Sequence, residues 1–223
     1  AELQEAQCYQ GEAIANAASS DDEAWGYIDK AKGYLSEALK VAEQEDDGAW
    51  SHVANVTHLT LGLVNQLEAQ VYLRDGEVQL ADMPLDDAHE EFEMALAGFR
   101  AQSPDDASAG WLDTLTTWFT RDRNAKPPRY AYIGWSHLGL GMNDFIRARR
   151  LGLDPNSNAQ LRADLLASAV EHFQACTQLK DEGSNSFFNQ QVVTCGCEYY
   201  QKEAEGDLAA EGQVNVNSAG DNP

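Results

Sequence analysis

The strongest constraint on the fold is a pattern of small and large side chains that occurs three times along the chain. Each copy has a small residue, a large apolar residue four positions later and a second small residue three positions after that. The copies are Ala31, Leu35, Ala38; Ala88, Phe92, Ala95; and Ala169, Phe173, Cys176. Spacings of three and four place the residues of one copy on one helix face. Because the small residues let a neighbouring helix approach while the large one fills the space between them, each copy predicts half of a tightly packed antiparallel hairpin.

A further segment with its own apolar stripe precedes each copy and supplies the first helix of the hairpin. These segments lie within residues 2–18, 50–73 and 129–152. A closing helix is expected near residues 186–204, and the Arg-Asp-Gly sequence at 74–76 indicates the end of a helix. The sequence therefore predicts an all-α protein of paired antiparallel helices, with about seven principal helices.

The first helix of the third hairpin carries a motif of its own, formed by Trp135, Leu138, Gly139 and Met142. Together with the alanine–phenylalanine pairs of the second and third copies, this motif resembles the tetratricopeptide repeat, whose two helices read W-x-x-L-G-x-x-Y and A-x-x-x-F. Methionine stands where the family has tyrosine. The copies also lie 57 and 81 residues apart, against about 34 in the family, so the connecting segments are long.

The resemblance implies a short α-solenoid over residues 1–204, with a groove lined by the first helices of the hairpins. A groove of this kind binds a protein or peptide, which includes other copies of the same chain. The polar residues expected to contact the partner are Asn55, His58, Asn65, Asn143 and Arg147. Trp135 is expected in the core instead.

Two segments fall outside the repeat pattern. Residues 102–127 form an insertion with a short aromatic helix, in which Trp111 and Trp118 share one face. These tryptophans either cover the core beneath a long loop or anchor a partner, since tryptophan is enriched at binding hot spots. Residues 205–223 lose helical periodicity and predict a disordered tail, with an extended strand at "QVNVN" as the alternative.

The four cysteines are Cys8, Cys176, Cys195 and Cys197. Their spacing does not match a zinc site, and their even number favours disulfides over buried thiols. Cys195 and Cys197 point roughly 200° apart around a helix, so they cannot readily bond to each other, and one of them can reach Cys176. Cys8 meets the C-terminal end only if the helices bring the two ends together. Otherwise Cys8 and the remaining cysteine are free or bond to other molecules.

Charge excludes one class of partner. The chain has 37 acidic and 15 basic residues and a net charge of −22, which repels nucleic acid. A saline habitat or a basic partner would account for this acidity. Seven basic residues form a band that is either paired within the molecule or a docking patch for an acidic partner: Arg121, Arg123, Lys126, Arg129, Arg147, Arg149 and Arg150. No apolar run approaches the roughly 20 residues that span a bilayer.

The sequence contains none of the common motifs for catalysis or for phosphate or metal binding that were sought. It has no phosphate-binding loop, no Gly-x-Ser-x-Gly and no His-Glu-x-x-His, so neither an enzyme nor a metal or cofactor site is predicted. The chain begins at Ala1 without a basic and apolar leader, which together with the cysteines favours an exported protein, periplasmic or extracellular. The function expected is that of a non-enzymatic protein-binding scaffold or a subunit of a larger complex. The alternatives are a self-assembling subunit of an extracellular filament or layer and a periplasmic binder of small ligands.

Overall fold

A computed structural model describes residues 21–44, 48–102, 129–153, 157–182 and 188–220. Within these ranges the chain forms six α-helices and no strand. The helices are α1 Asp21–Gln44, α2 Gly48–Arg74, α3 Asp82–Ala101, α4 Arg129–Leu151, α5 Ala159–Gln178 and α6 Tyr199–Gly220. A short 3₁₀ turn, Leu179–Glu182, follows α5, and a π-helical segment, Phe188–Glu198, leads directly into α6.

The helices pack in the order in which they occur along the chain. The α2–α3 and α4–α5 pairs make the most extensive contacts, and α1–α2, α3–α4 and α5–α6 join these pairs to one another. Helix α4 also contacts α2 and the π-helical segment. The prediction of an all-α protein with paired helices is confirmed. The first of the seven expected helices falls at residues 2–18, outside the described ranges.

Local signals at the helix ends agree with the predicted boundaries. Helix α2 ends at the Arg-Asp-Gly sequence, where Gly76 adopts a positive φ of 80°. The amide of Glu77 donates to the carbonyl of Tyr72, and that of Gly76 donates to Leu73, which completes a Schellman motif. At the start of α5, the side chain of Asn158 accepts hydrogen bonds from the amides of Gln160 and Leu161.

The core is built around the large residue of the small–large–small pattern. The Phe92 ring is fully buried between α2 and α4. A Cβ atom added to Gly62 of α2 would lie 2.7 Å from this ring, and one added to Gly139 of α4 would lie 2.5 Å from it. The Phe173 ring has the same relation to Gly141, at 2.6 Å. Glycines of the first helices thus face the phenylalanines of the second ones, so the space around each ring is provided by glycines that lie outside the pattern.

The first copy of the pattern is less buried than the other two. Ala31, Leu35 and Ala38 are half-buried, whereas Ile28 and Ala42 on the same helix are buried. The helix predicted to pair with this face lies within residues 2–18, outside the described ranges. The second and third copies, by contrast, are completely buried.

The C-terminal segment differs from the expected disordered or extended tail, because α6 continues to Gly220. Leu208 packs against the cluster that contains Phe173. Asp207 accepts a hydrogen bond from Arg149 of α4, and Glu211 forms an ion pair with Arg162 of α5. These partners lie far away in sequence, so helical periodicity within the tail could not reveal them.

A disulfide joins α5 to the π-helical segment. Cys176 and Cys197 are bonded, with an S–S distance of 2.01 Å. Cys195 is disulfide-bonded as well, and Cys8 lies outside the described residues. One of the two neighbouring cysteines was expected to reach Cys176, and this prediction is confirmed for Cys197. Among the helices that the structure describes, none combines the length and apolarity needed to cross a bilayer.

Candidate functional site

Two grooves lie on opposite sides of α3. Groove I lies between α1 and α3 and has a volume of about 360 Å³, with the buried Leu61 and Asn65 of α2 at its base. Groove II lies between α3 and α5 and has a volume of about 600 Å³, with the buried His137 and Leu140 of α4 at its base. Helix α3 thus contributes one wall to each groove.

The two grooves are lined by corresponding positions of successive copies of the sequence pattern. Leu61 in groove I and Leu140 in groove II are 79 residues apart, and Glu90 and Glu171 are 81 apart. The offset of 81 is the one that relates Phe92 to Phe173. On the opposite walls, Leu39 and Leu96 differ by 57, the offset between the first two copies. The grooves therefore share one plan, in which leucines from two helices lie beside a glutamate from a third.

Carboxylates dominate the wall of groove I. Glu91 accepts a hydrogen bond from His58, whose Nδ1 lies 2.7 Å from the Glu91 carboxylate. Asp87 and Glu90 are exposed, and neither has an ion-pair partner in the part of the chain that the structure describes. On the α1 side the groove is lined by Lys40 and by Lys32, which forms an ion pair with Glu68 of α2. Free carboxylates in a partly apolar groove favour a positively charged ligand group.

Groove II has two histidines at the position of this His–Glu pair. His137 is 79 residues after His58, and His172 is 81 residues after Glu91. Their Nδ1 atoms lie 3.1 Å apart, and Nη2 of Arg100 lies 3.0 Å from Nε2 of His137. Arginine only donates hydrogen bonds, so Nε2 of His137 accepts and the proton of this neutral ring resides on Nδ1. That proton is donated to Nδ1 of His172, whose own proton is then on Nε2.

The environment keeps both imidazoles neutral. Burial, followed by the neighbouring His172 and Arg100, lowers the pKa of His137 to about 4. Burial also lowers the pKa of His172, against the opposing effect of the Asp144 carboxylate. Since both shifts disfavour the charged ring, the chain of hydrogen bonds from Arg100 through His137 to His172 is the arrangement expected at pH 7.

A buried carboxylate lies next to this histidine pair. Asp144 of α4 is 2% exposed and accepts a hydrogen bond of 2.6 Å from the hydroxyl of Ser168. Nδ1 of His89 is 3.8 Å from Asp144, and Nε2 of His89 is 3.5 Å from Glu93. Within the described ranges, no set of three or more histidine, cysteine, aspartate or glutamate residues is arranged to hold a metal ion. The site is thus a polar cluster that is suited to hydrogen bonding and proton binding.

The structure places the predicted contact residues in different settings. Asn65 lines groove I, and His58 lies beside it in the pair with Glu91. Asn143 is fully buried and donates a 3.0 Å hydrogen bond to the carbonyl of Leu85. Asn55 is buried against Gly98, where an added Cβ would lie 1.9 Å from its Oδ1. These last two side chains mediate helix packing and lie on neither groove.

The basic band is paired within the molecule wherever its side chains are described. Arg147 forms an ion pair with Asp86, Arg150 with Asp82, and Arg149 with both Glu203 and Asp207. This agrees with the first of the two interpretations of the band. Arg121, Arg123, Lys126, Trp111 and Trp118 lie outside the described residues, as does the side chain of Arg129.

Sequence reasoning missed the residues that give groove II its character: Glu93, Arg100, His137, Glu171 and His172. The signal that could have found the histidines is the correspondence between copies, since His58 and His137 occupy equivalent positions. Comparisons of the chain with protein-family models, curated protein sequences and solved structures found no match.

Proposed function

We propose that this chain is a protein-binding scaffold that holds a basic polypeptide segment across grooves I and II. The observation that carries the proposal is the presence of two grooves of one plan on the two sides of α3. A partner can therefore make the same kind of contact twice, and two linked contacts bind more tightly than either alone. The contact between α2 and α4, and groove-residue offsets of 57 and 81 that equal those between the copies of the sequence pattern, support a stack of tetratricopeptide-like repeats.

Charge and apolarity together define the expected partner. Asp87 and Glu90 border groove I, and Glu93 and Glu171 border groove II. Beside each set lie two leucines, which can bury apolar side chains. The partner should therefore present lysine or arginine next to apolar residues. A net charge of −22 would accelerate its association at low ionic strength.

The same proposal includes export and the absence of catalysis. The Cys176–Cys197 disulfide supports an oxidising compartment, periplasmic or extracellular. A binding role is favoured over catalysis because the imidazoles of groove II hydrogen-bond to each other and to Arg100.

Peptide binding tests the proposal directly. We expect fluorescently labelled peptides that alternate lysine or arginine with leucine to bind, and acidic peptides of the same length to bind far more weakly. The double variant Asp87→Asn/Glu90→Gln should weaken the basic peptide about tenfold, from two partly exposed charge contacts of roughly 0.5–1 kcal/mol each. Fluorescence anisotropy at several salt concentrations measures both effects.

The control for this experiment is Glu77→Gln/Glu205→Gln, which changes the net charge equally at exposed positions outside both grooves. It should leave the affinity within about twofold. Equal losses in the two double variants would mean that binding reflects overall charge alone, which would contradict the groove assignment. A melting shift produced by small molecules with no response to any peptide would favour the small-ligand alternative. Growth in mass with concentration, measured by light scattering, would favour self-assembly.

A further inference from the structure

The histidine pair of groove II has a hydrogen-bond arrangement that admits no further proton. In the neutral chain, Arg100 donates to Nε2 of His137, and Nδ1 of His137 donates to Nδ1 of His172. An added proton can occupy Nε2 of His137, where it faces the guanidinium N–H. It can otherwise occupy Nδ1 of His172, where it faces the N–H of His137. In both cases a donor meets a donor, and one hydrogen bond is lost.

We propose that Arg100, His137 and His172 form a proton-sensitive chain at the base of groove II, and that uptake of one proton from water breaks this chain and weakens the binding of a basic segment. The added positive charge would lie beside Arg100 and in the groove where the basic partner binds. This regulation rests on the proposed function of the groove. The proton sensitivity of the chain itself does not.

Charged groups from three helices surround the pair and determine its response. Helix α3 contributes His89 and Glu93 in addition to Arg100, α4 contributes Asp144, and α5 contributes Glu171. The three carboxylates favour a proton on His172, whereas His89 and Arg100 oppose a positive charge on the pair. A basic partner that neutralises Glu93 and Glu171 would remove part of this support. By linkage, the partner and the proton therefore weaken each other's binding.

Groove I provides an internal contrast. At the equivalent position Nδ1 of His58 lies 2.7 Å from the carboxylate of Glu91, a group that only accepts hydrogen bonds. The pair in groove I therefore lacks the donor–donor conflict that a proton creates in groove II.

The sign of the pH dependence follows from the two lowered pKa values. The pKa of His137 falls from 6.5 to about 4 in the folded protein, and that of His172 is lowered as well. Above pH 6.5 the pair is neutral and the chain is intact. As the pH falls from 6.5 toward 4, the fraction of molecules with a protonated ring rises, and in those molecules a hydrogen bond of the chain is broken. We therefore expect partner affinity to be highest above pH 6.5 and to fall in acid.

The first test uses the wild-type protein without any partner. Imidazole ¹⁵N NMR at pH 7.5 should show the proton of His137 on Nδ1 and that of His172 on Nε2. On acidification the two rings should titrate as a coupled pair below 6.5. Opposite tautomers, or two rings that titrate independently near 6.5, would overturn the proposal.

The second test compares peptide affinity between pH 7.5 and pH 4 in matched variants. Below the midpoint of the pair's titration, the affinity of the wild-type protein for the peptide should decrease as the pH falls, by at most tenfold per pH unit. The double variant His137→Gln/His172→Gln, which leaves no imidazole of the pair to titrate, should have a clearly smaller slope than the wild-type protein, while the control His58→Gln should keep the wild-type slope. A wild-type slope in this double variant would overturn the coupling to the partner. If no basic peptide binds at pH 7.5, the proposed function fails, and the NMR titration alone decides the proton chain.

Discussion

Replacing Gly139 by alanine should lower the free energy of unfolding by about 3 kcal/mol, at the upper end of the range for overpacking a core. The added methyl carbon would lie 2.5 Å from Cε1 of Phe92, a ring that is fully buried and that also lies close to Gly62. Gly62→Ala, whose added Cβ would lie 2.7 Å from the same ring, should behave similarly. Urea unfolding followed by circular dichroism measures the loss.

Gly33→Ala is the matched control, because no side chain or neighbouring helix among the described residues lies within 4 Å of a Cβ at this helical position. It should stabilise the protein by roughly 0.5–1 kcal/mol through helix propensity alone. Adding Phe92→Leu to Gly139→Ala should cost less than the sum of the two single changes, since a shorter side chain leaves room for the methyl group. A neutral or stabilising Gly139→Ala, or strict additivity with Phe92→Leu, would show that the two helices do not meet over this ring.

Loss of the Cys176–Cys197 disulfide is the second large effect expected. The bond spans a sequence separation of 21 residues, and loop-closure entropy assigns such a crosslink about 3 kcal/mol. Both cysteines are fully buried beside Val192 and Val193. In the double variant Cys176→Ala/Cys197→Ala, the π-helical segment should therefore separate from α5 before the rest of the protein unfolds. Hydrogen exchange should increase in residues 192–204 and remain low in α2 and α3.

Reductant provides the control for this variant. Dithiothreitol acts on the Cys195 disulfide as well, so its effect on the double variant reports that second bond alone. Equal stability of the wild-type protein and the double variant without reductant would contradict a stabilising role for the Cys176–Cys197 bond. A uniform rise in exchange across all helices would contradict the local unfolding of the C-terminal segment.

The sequence predicted those structural features that depend on a few neighbouring residues. The spacing of Ala88, Phe92 and Ala95 indicated a buried helix face, and the Arg-Asp-Gly at 74–76 indicated the end of α2. The angle between Cys195 and Cys197 around a helix predicted that they do not bond to each other and that one of them reaches Cys176, as Cys197 does. Helix period and turn chemistry depend on a few neighbouring residues, which is why these features could be derived from the sequence alone.

The candidate site depended on contacts between distant segments. Periodicity reports which face of a helix is apolar, but it does not report which residue of another helix that face meets. Asn143 was expected to contact a partner, yet it is buried against the carbonyl of Leu85.

The tail beyond residue 205 lacks helical periodicity, yet it is helical because Asp207 and Leu208 meet partners on α4 and α5. His137 and His172 are 35 residues apart in sequence and face each other only after α4 and α5 pair. The sequence by itself determined the helices up to residue 204 and the apolar residues of the small–large–small pattern that pack between them. Only the tertiary structure decided which polar side chains share a groove, because that depends on the register between helices.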